Sequence, residues 1–260
     1  MLDYAVLASG SIANAYIFRY KELVFAVDNG LSCRQFFLRA EHCGFDPNEL
    51  QYIFITHSHI DHVRGVELLA KKTNATVVHH HQMNIESVFK NSVSRQLKIE
   101  PGIEYSVDGL VFTSFYTEHD APHAVSYSFT AGNKSVCIIT DTGKTSDEMV
   151  RIANKADILF LEANYCPDML ANSEYPDYIK ERIASDRGHL SNHAAVSFLN
   201  QLKPEGKRKV YFCHLSDNNN SAGILEECLS RYLEHEIDYI ICPRGEIVRP
   251  GKIISDTSIP

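Results

Sequence analysis

Within the six residues 57–62 the chain carries His57, His59, Asp61 and His62, directly behind an apolar run at 52–55. Packing gains nothing from imidazoles and a carboxylate so crowded, whereas a cation among them would be well served. In His57-x-His59 two alternate residues of an extended segment project to one side and can reach one ion. Asp61 and His62 turn away as a helix begins and can serve a neighbouring ion. Three more strand-like runs end on a possible ligand: "FTSFYTE" on His119, "VCIIT" on Asp141 and "VYFC" on His214. Side chains at the ends of parallel or mixed strands converge at one edge of an α/β sheet. A lone histidine after a strand is commonly a surface or hydrogen-bonded residue. Four such endings in order, one of them dense, point instead to a metal centre. Mixed imidazole and carboxylate donors suit zinc, manganese or iron, and calcium or magnesium would call for oxygen alone.

These endings need a scaffold. Strand signals occupy residues 4–9, 14–20 and 22–28, with a tight connection near Lys21. Residues 32–44 have apolar positions at helical spacing, with Gly44 as the stop. A short buried strand follows at 51–56, a helix at 63–72 and a strand at 75–81. Strands at 110–120, 124–132 and 134–143 come next, the last two joined by a Gly132-Asn133 turn. Thr145 with Glu148 predicts a capping box opening a helix through Lys155. Beyond it the pattern predicts a strand at 156–164, a helix at 176–185, a helix at 191–203 capped by Ser191 or Asn192, and a strand at 209–214. A helix at 221–236 and a final strand pair at 238–250 close the chain. Two sheets packed face to face with helices outside would bury such an α/β arrangement.

Composition narrows the function classes. No segment approaches the roughly 20 apolar residues of a membrane helix, and residues 1–16 lack the pattern of a secretory signal. Seven cysteines, an odd number without C-x-x-C, fit reduced thiols and a cytoplasmic location. Cys137, Cys213 and Cys242 lie in apolar runs and are expected in the core. The net charge of −8 argues against a large basic surface, although a metal pair would add about four positive charges at one spot. With no repeat or linker, a single domain over residues 1–260 is expected.

"THSHIDHVRG", with Asp28, His119, Asp141 and His214, resembles the metallo-β-lactamase superfamily over nearly the whole chain. The resemblance implies an αββα sandwich of two mixed β-sheets with helices on the outer faces, holding two divalent metal ions (zinc, manganese or iron). It implies that His57, His59 and His119 bind one ion and Asp61, His62 and His214 the other. Asp141 would bridge them, and Asp28 would orient the ligands from behind. The segments "LASGSIANAY", "DNGLSCRQF", "EHDAPHAVSY", "LEANYCPDML", "GHLSN" and "HLSDNNN" are similar to the YycJ-like (WalJ) group of cytoplasmic bacterial proteins. Ser126 departs from that pattern where a glycine is expected, and Tyr165 where a histidine is common. This resemblance implies a nuclease or phosphodiesterase acting on DNA, in the manner of a 5′–3′ exonuclease.

"GHLSN" is also similar to a segment of the superfamily's tRNA-processing branch. By that likeness His189 would give a proton to the leaving oxygen and Glu162 would orient it. The competing reading is a histidine that caps the next helix or lines the cleft. Asp61 and Asp141 would share the catalytic work at a water made acidic by the paired ions. A small cyclic or modified phosphodiester is the alternative substrate, and a thioester or lactam a more distant one. A metal-stabilised binding protein is the non-catalytic competitor. The interval between His119 and Asp141 holds one hairpin, too little for the RNA-gripping arm of the tRNA branch. His79, His80 and His81 alternate faces and cannot all reach one ion. A solvated or loosely hydrogen-bonded strand end is expected there, and an equally plain role for His123 and His193.

Overall fold

The computed structural model describes residues 1–89, 93–203 and 208–255. One sheet takes β1 (Leu2–Ala8), β2 (Ala15–Tyr20), β3 (Leu23–Asn29), β4 (Leu50–Phe54), β5 (Thr76–His80) and β6 (Gln96–Ile99). The other takes β7 (Glu104–Val107), β8 (Leu110–Tyr116), β9 (Val125–Ala131), β10 (Lys134–Ile139), β11 (Ile158–Glu162), β12 (Lys209–Cys213) and β13 (Asp238–Ile241). The chain then returns to the first sheet with β14 (Ile247–Arg249) and β15 (Lys252–Ile254), giving the orders β15-β14-β1-β2-β3-β4-β5-β6 and β13-β12-β11-β10-β9-β8-β7. Each sheet has an antiparallel half and a parallel half, β3 to β6 in one and β10 to β13 in the other. The parallel halves carry their C-terminal strand ends at one edge, and those ends supply most of the site. β8 is antiparallel to β9, and β9 to β10, so β8 ends at the same edge.

Alternation along the strands separates three apolar layers. In β3, Val24 and Ala26 face the helices Cys33–His42 and Val66–Thr73, while Leu23, Phe25 and Val27 face the opposite sheet. In β11, Leu159 and Leu161 face the helices Asn192–Asn200 and Ala222–Tyr232, and Ile158 and Phe160 face inward. Strands covered on both faces read as continuous apolar runs. Aromatic rings interlock the two sheets: Phe54 of β4 meets Phe112 of β8 at 4.9 Å and Phe129 of β9 at 5.0 Å. Full burial of each such ring contributes about 1.5–3 kcal/mol. Cys137, Cys213 and Cys242 are buried, and all seven cysteines are unpaired.

Three local expectations change. The final strand pair at 238–250 does not pair with itself: β13 joins β12 and β14 joins β1, so the chain crosses between sheets there. The helix expected at 63–72 divides into a turn at Ile60–Val63 and a helix at Val66–Thr73. Gly65 between them donates its N–H to Asn29 O at 3.0 Å. The cap expected at Thr145 falls on Ser146, whose Oγ accepts from Met149 N ahead of the helix Asp147–Ala153, and Glu148 pairs with Arg151 instead. β6, β7 and the turn Ile85–Val88 are additions that the sequence pattern does not announce.

Candidate metal centre

Strand ends from both sheets meet here. Asp28 lies in β3, His57 to His62 follow β4, His119 follows β8, Asp141 follows β10, Glu162 ends β11 and His214 follows β12. Asp28, Asp141 and His214 have left-handed backbones, with φ of 56°, 58° and 59°. Such conformations cost about 1–3 kcal/mol each and cluster at functional sites. Gly30 lets the two ligand-bearing segments touch, because a Cβ there would lie 1.8 Å from Asp61 O.

The expected donors assemble into overlapping groups: His57, His59 and His119; Asp61, His62 and His214; and His57, His62 and Asp141. His119 Nε2 is 3.2 Å from His59 Nδ1, and His62 Nε2 is 3.3 Å from Asp141 Oδ2. Asp61 Oδ2 lies 3.4 Å from both His62 Nε2 and His214 Nε2, and Asp141 Oδ1 lies 3.4 Å from His214 Nε2. Metal–ligand bonds of about 2.0–2.2 Å at tetrahedral angles separate neighbouring donors by about 3.3 Å. His57 Nε2 and Asp141 Oδ2 are buried without a hydrogen-bond partner. Buried polar atoms are normally satisfied, and a cation satisfies both. The donor set therefore fits ions of the zinc, manganese or iron type.

The other nitrogen of each of the five candidate ligand histidines faces a polar neighbour, an accepting oxygen at hydrogen-bond distance for His57, His62 and His119. Thr56 Oγ1 donates its only proton to Asp28 Oδ2 at 2.7 Å, so it accepts from His57 Nδ1 at 3.0 Å. His62 Nδ1 donates to Asp28 Oδ2 at 2.8 Å. His119 Nδ1 donates to Gly188 O at 3.0 Å. His59 Nε2 lies 3.3 Å from Asp120 Oδ1, and His214 Nδ1 lies 3.3 Å from Glu162 Oε1 and 3.0 Å from Asn164 Nδ2. Acceptors behind the rings fix their tautomers and turn the opposite nitrogens inward.

Electrostatics agree with the geometry. Burial, reinforced by the surrounding imidazoles, holds His57 well below the usual histidine pKa, which keeps it neutral. For His62 burial acts the same way, but Asp141 and Asp28 outweigh it and raise its proton affinity well above the usual value. His214 rises too, with burial outweighed by Asp141, Asp61 and Glu162. The carboxylates thus demand positive charge at this spot.

Glu162 is fully buried; its Oε1 accepts from His189 Nδ1 at 2.6 Å and its Oε2 from Thr142 N at 3.1 Å and Leu190 N at 3.2 Å. His189 Nδ1 is 3.8 Å from Asp141 Oδ1, so the pair adjoins the donors. The cap of the helix Asn192–Asn200 is Ser191, not His189.

Spacing did not reveal Thr56, Asp120 or Asn14. Asn14 Nδ2 lies 3.0 Å from His62 Nε2 and donates to Asp61 Oδ2 at 3.3 Å. Its signal was a polar residue opening an apolar strand; Asp120 had the signal of directly following His119.

The solvated strand end expected at residues 79–81 is corrected. His79 and His80 are fully buried and only His81 is exposed. β6 pairs with β5 and supplies Gln96 Oε1, 3.2 Å from His79 Nε2. His80 stacks between His81 at 4.6 Å and His123 at 4.9 Å, and burial with those imidazoles pushes its pKa down to about 4. None of these, nor His193 against Tyr232, joins a donor group among the described residues.

A family model described as a β-lactamase superfamily domain matches residues 25–215. The chain is 32% identical over 222 residues to exodeoxyribonuclease WalJ of Streptococcus pneumoniae, covering 84% of this chain and 82% of the relative. It is 31% identical over 238 residues to exodeoxyribonuclease YycJ of Bacillus anthracis, covering 90% of each. Among solved structures, the metallo-β-lactamase fold protein YhfI of Bacillus subtilis matches with a TM-score of 0.72 at 16% identity, over 95% of this chain and 98% of that one. The last likeness bears on fold alone.

Proposed function

The chain belongs to the metallo-β-lactamase superfamily, and from that membership we propose that it is a metal-dependent phosphodiester hydrolase acting on DNA, as a 5′–3′ exonuclease. The observation that carries this reading is the convergence of seven inward-facing donors beside the His189–Glu162 pair. The names of the two relatives, both exodeoxyribonucleases, support the substrate class.

His57, His59 and His119 would hold one ion, and Asp61, His62 and His214 the other. Asp141 faces both sets, with Oδ2 3.3 Å from His62 and Oδ1 3.9 Å from His119. Zinc, manganese or iron ions bound there supply Lewis acidity, lowering the pKa of a water towards neutrality and offsetting phosphate charge. The carboxylates of Asp61 and Asp141 would accept hydrogen bonds from a water at such a centre. Asp28 locks the tautomers of His62 and, through Thr56, of His57. His189, with Nδ1 committed to Glu162, presents Nε2 to the leaving oxygen and returns a proton to it. An acid matters there because an alkoxide is a poor leaving group.

A cytoplasmic location fits seven unpaired cysteines. No helix among the described residues is long and apolar enough to cross a membrane.

The net charge of −8 favours a second reading, a small cyclic or modified phosphodiester. Metal-loaded protein assayed on 5′-labelled single- and double-stranded DNA, RNA, bis-p-nitrophenyl phosphate and a nitrocefin-type lactam separates the readings. Stepwise loss of nucleotides from DNA is the expected result. Turnover of the lactam alone would reject the phosphodiester assignment.

A further inference from the structure

Two arginines at the edge of the centre are held in the same way. Arg182, on the helix Asp177–Ala184, donates through Nε to Asp120 Oδ2 at 2.5 Å, and Asp120 Oδ1 faces His59. Arg187 donates through Nε to the carbonyl oxygen of His119 at 3.2 Å. Both anchors therefore lie on consecutive residues, His119 and Asp120, one of them a ligand of the first ion. Both arginines remain exposed. A guanidinium gripped at Nε has its direction fixed while its terminal nitrogens keep the fork that matches a phosphate. The nearby Asp186 carboxylate is engaged by Lys144 at 3.3 Å. Exposed ion pairs add little to stability, so stability alone does not account for two arginines, one on the helix Asp177–Ala184 and one just past it, both held at the same two residues.

We infer that Arg182 and Arg187 form a two-pronged clamp for phosphates of a polynucleotide strand flanking the scissile bond, an inference that rests on the phosphodiester reading above. The clamp reads no bases. It sets the strand's position, as backbone contacts do, and it serves DNA and RNA alike. It also supplies local positive charge to a chain of net charge −8.

The test is fluorescence anisotropy of metal-loaded, full-length protein with a hydrolysis-resistant phosphorothioate single strand, as DNA and as RNA of the same sequence. Each phosphate contact on a single strand contributes about 0.7 to the slope of log affinity against log salt, read between about 50 and 200 mM. R182Q and R187Q should each flatten the slope by about 0.7, and the double variant by about 1.4. R182K should keep most of the slope but bind more weakly, because the charge remains and the fork is lost. R151Q, in the helix Asp147–Ala153 and paired with Glu148, should leave the slope unchanged. A double variant with the wild-type slope overturns the clamp, as does an R151Q effect of equal size. A steep, arginine-dependent slope without hydrolysis of unmodified DNA would reject the nuclease reading and leave the clamp standing.

Discussion

One oxygen of Glu162 serves two histidines: Oε1 accepts from His189 Nδ1 at 2.6 Å and lies 3.3 Å from His214 Nδ1. The proposed acid and a proposed ligand of the second ion are thus oriented by the same buried carboxylate. His189 and His214 lie nearly parallel at 5.3 Å, and against the opposing effect of its burial the two imidazoles hold the Glu162 carboxyl well below the usual carboxylate range.

Glu162→Gln keeps the shape of this arrangement and removes its charge. The amide can still accept from Thr142 N or Leu190 N, so the fold should persist. Groups behind a metal ligand typically govern about 10–100-fold in affinity or activity. Turnover on DNA should fall by about that factor, with weaker retention of one ion. Kinetics paired with elemental analysis check both, and a variant with full turnover and two retained ions refutes the positioning role.

Asp141→Ala and His59→Ala should each abolish metal-dependent hydrolysis. Asp141 allows a sharper statement, because its buried Oδ2 has no hydrogen-bond partner. A buried acceptor left unsatisfied costs about 1–3 kcal/mol. Relief of that cost opposes the loss of the Asp141 contacts to His62 and His214, so the variant should differ less from wild type without metal than with it, and gain less on adding metal. Thermal melts of both proteins, with and without metal, decide the point.

Gly30→Ala tests the close approach that joins the donor segments. Its Cβ would meet Asp61 O at 1.8 Å and Ala13 Cα at 2.9 Å, both backbone atoms that cannot swing aside. Overpacking of this kind costs about 1–3 kcal/mol, occasionally more. Both a lower denaturation midpoint and weaker metal binding should follow, since Asp61 must move. A substitution that leaves metal affinity at the wild-type value would show that the contact is not what sets the site.

The donors were legible because each follows an apolar run, and strand ends gather wherever a parallel sheet carries a site. His57, His59, Asp61, His62, His119, Asp141 and His214 come together for that reason, with Asp28 behind them. What supports them was not legible. Thr56, Asp120 and Asn14 are single polar residues whose partners lie far along the chain, and no local period marks them. β13 and β14 resemble a hairpin locally, but their partners are β12 and β1. Short β7, with every second residue exposed, carries little apolar signal. His79 and His80 looked solvated because β6, which covers their edge, is equally quiet. Ser146 rather than Thr145 became the cap because adjacent hydroxyls compete and backbone geometry chooses.

Metal removal should weaken the fold as well as silence it. Three carboxylates crowd around His62: Asp28 lies 2.8 Å from its Nδ1, and Asp61 and Asp141 lie 3.4 and 3.3 Å from its Nε2. His57 Nε2 and Asp141 Oδ2 are buried without a hydrogen bond. An ion that binds only the folded chain stabilises it by about 2.7 kcal/mol at a hundredfold excess over its dissociation constant. Two such ions would contribute about 5 kcal/mol, and for a chain of this size each kcal/mol moves the melting temperature by about 2–4 °C. Dialysis against a chelator should therefore lower it by about 10–20 °C, and zinc or manganese should restore it. Coincident melts of stripped and reloaded protein would mean that the cluster holds no ions at these concentrations, and the hydrolytic reading would fall with it.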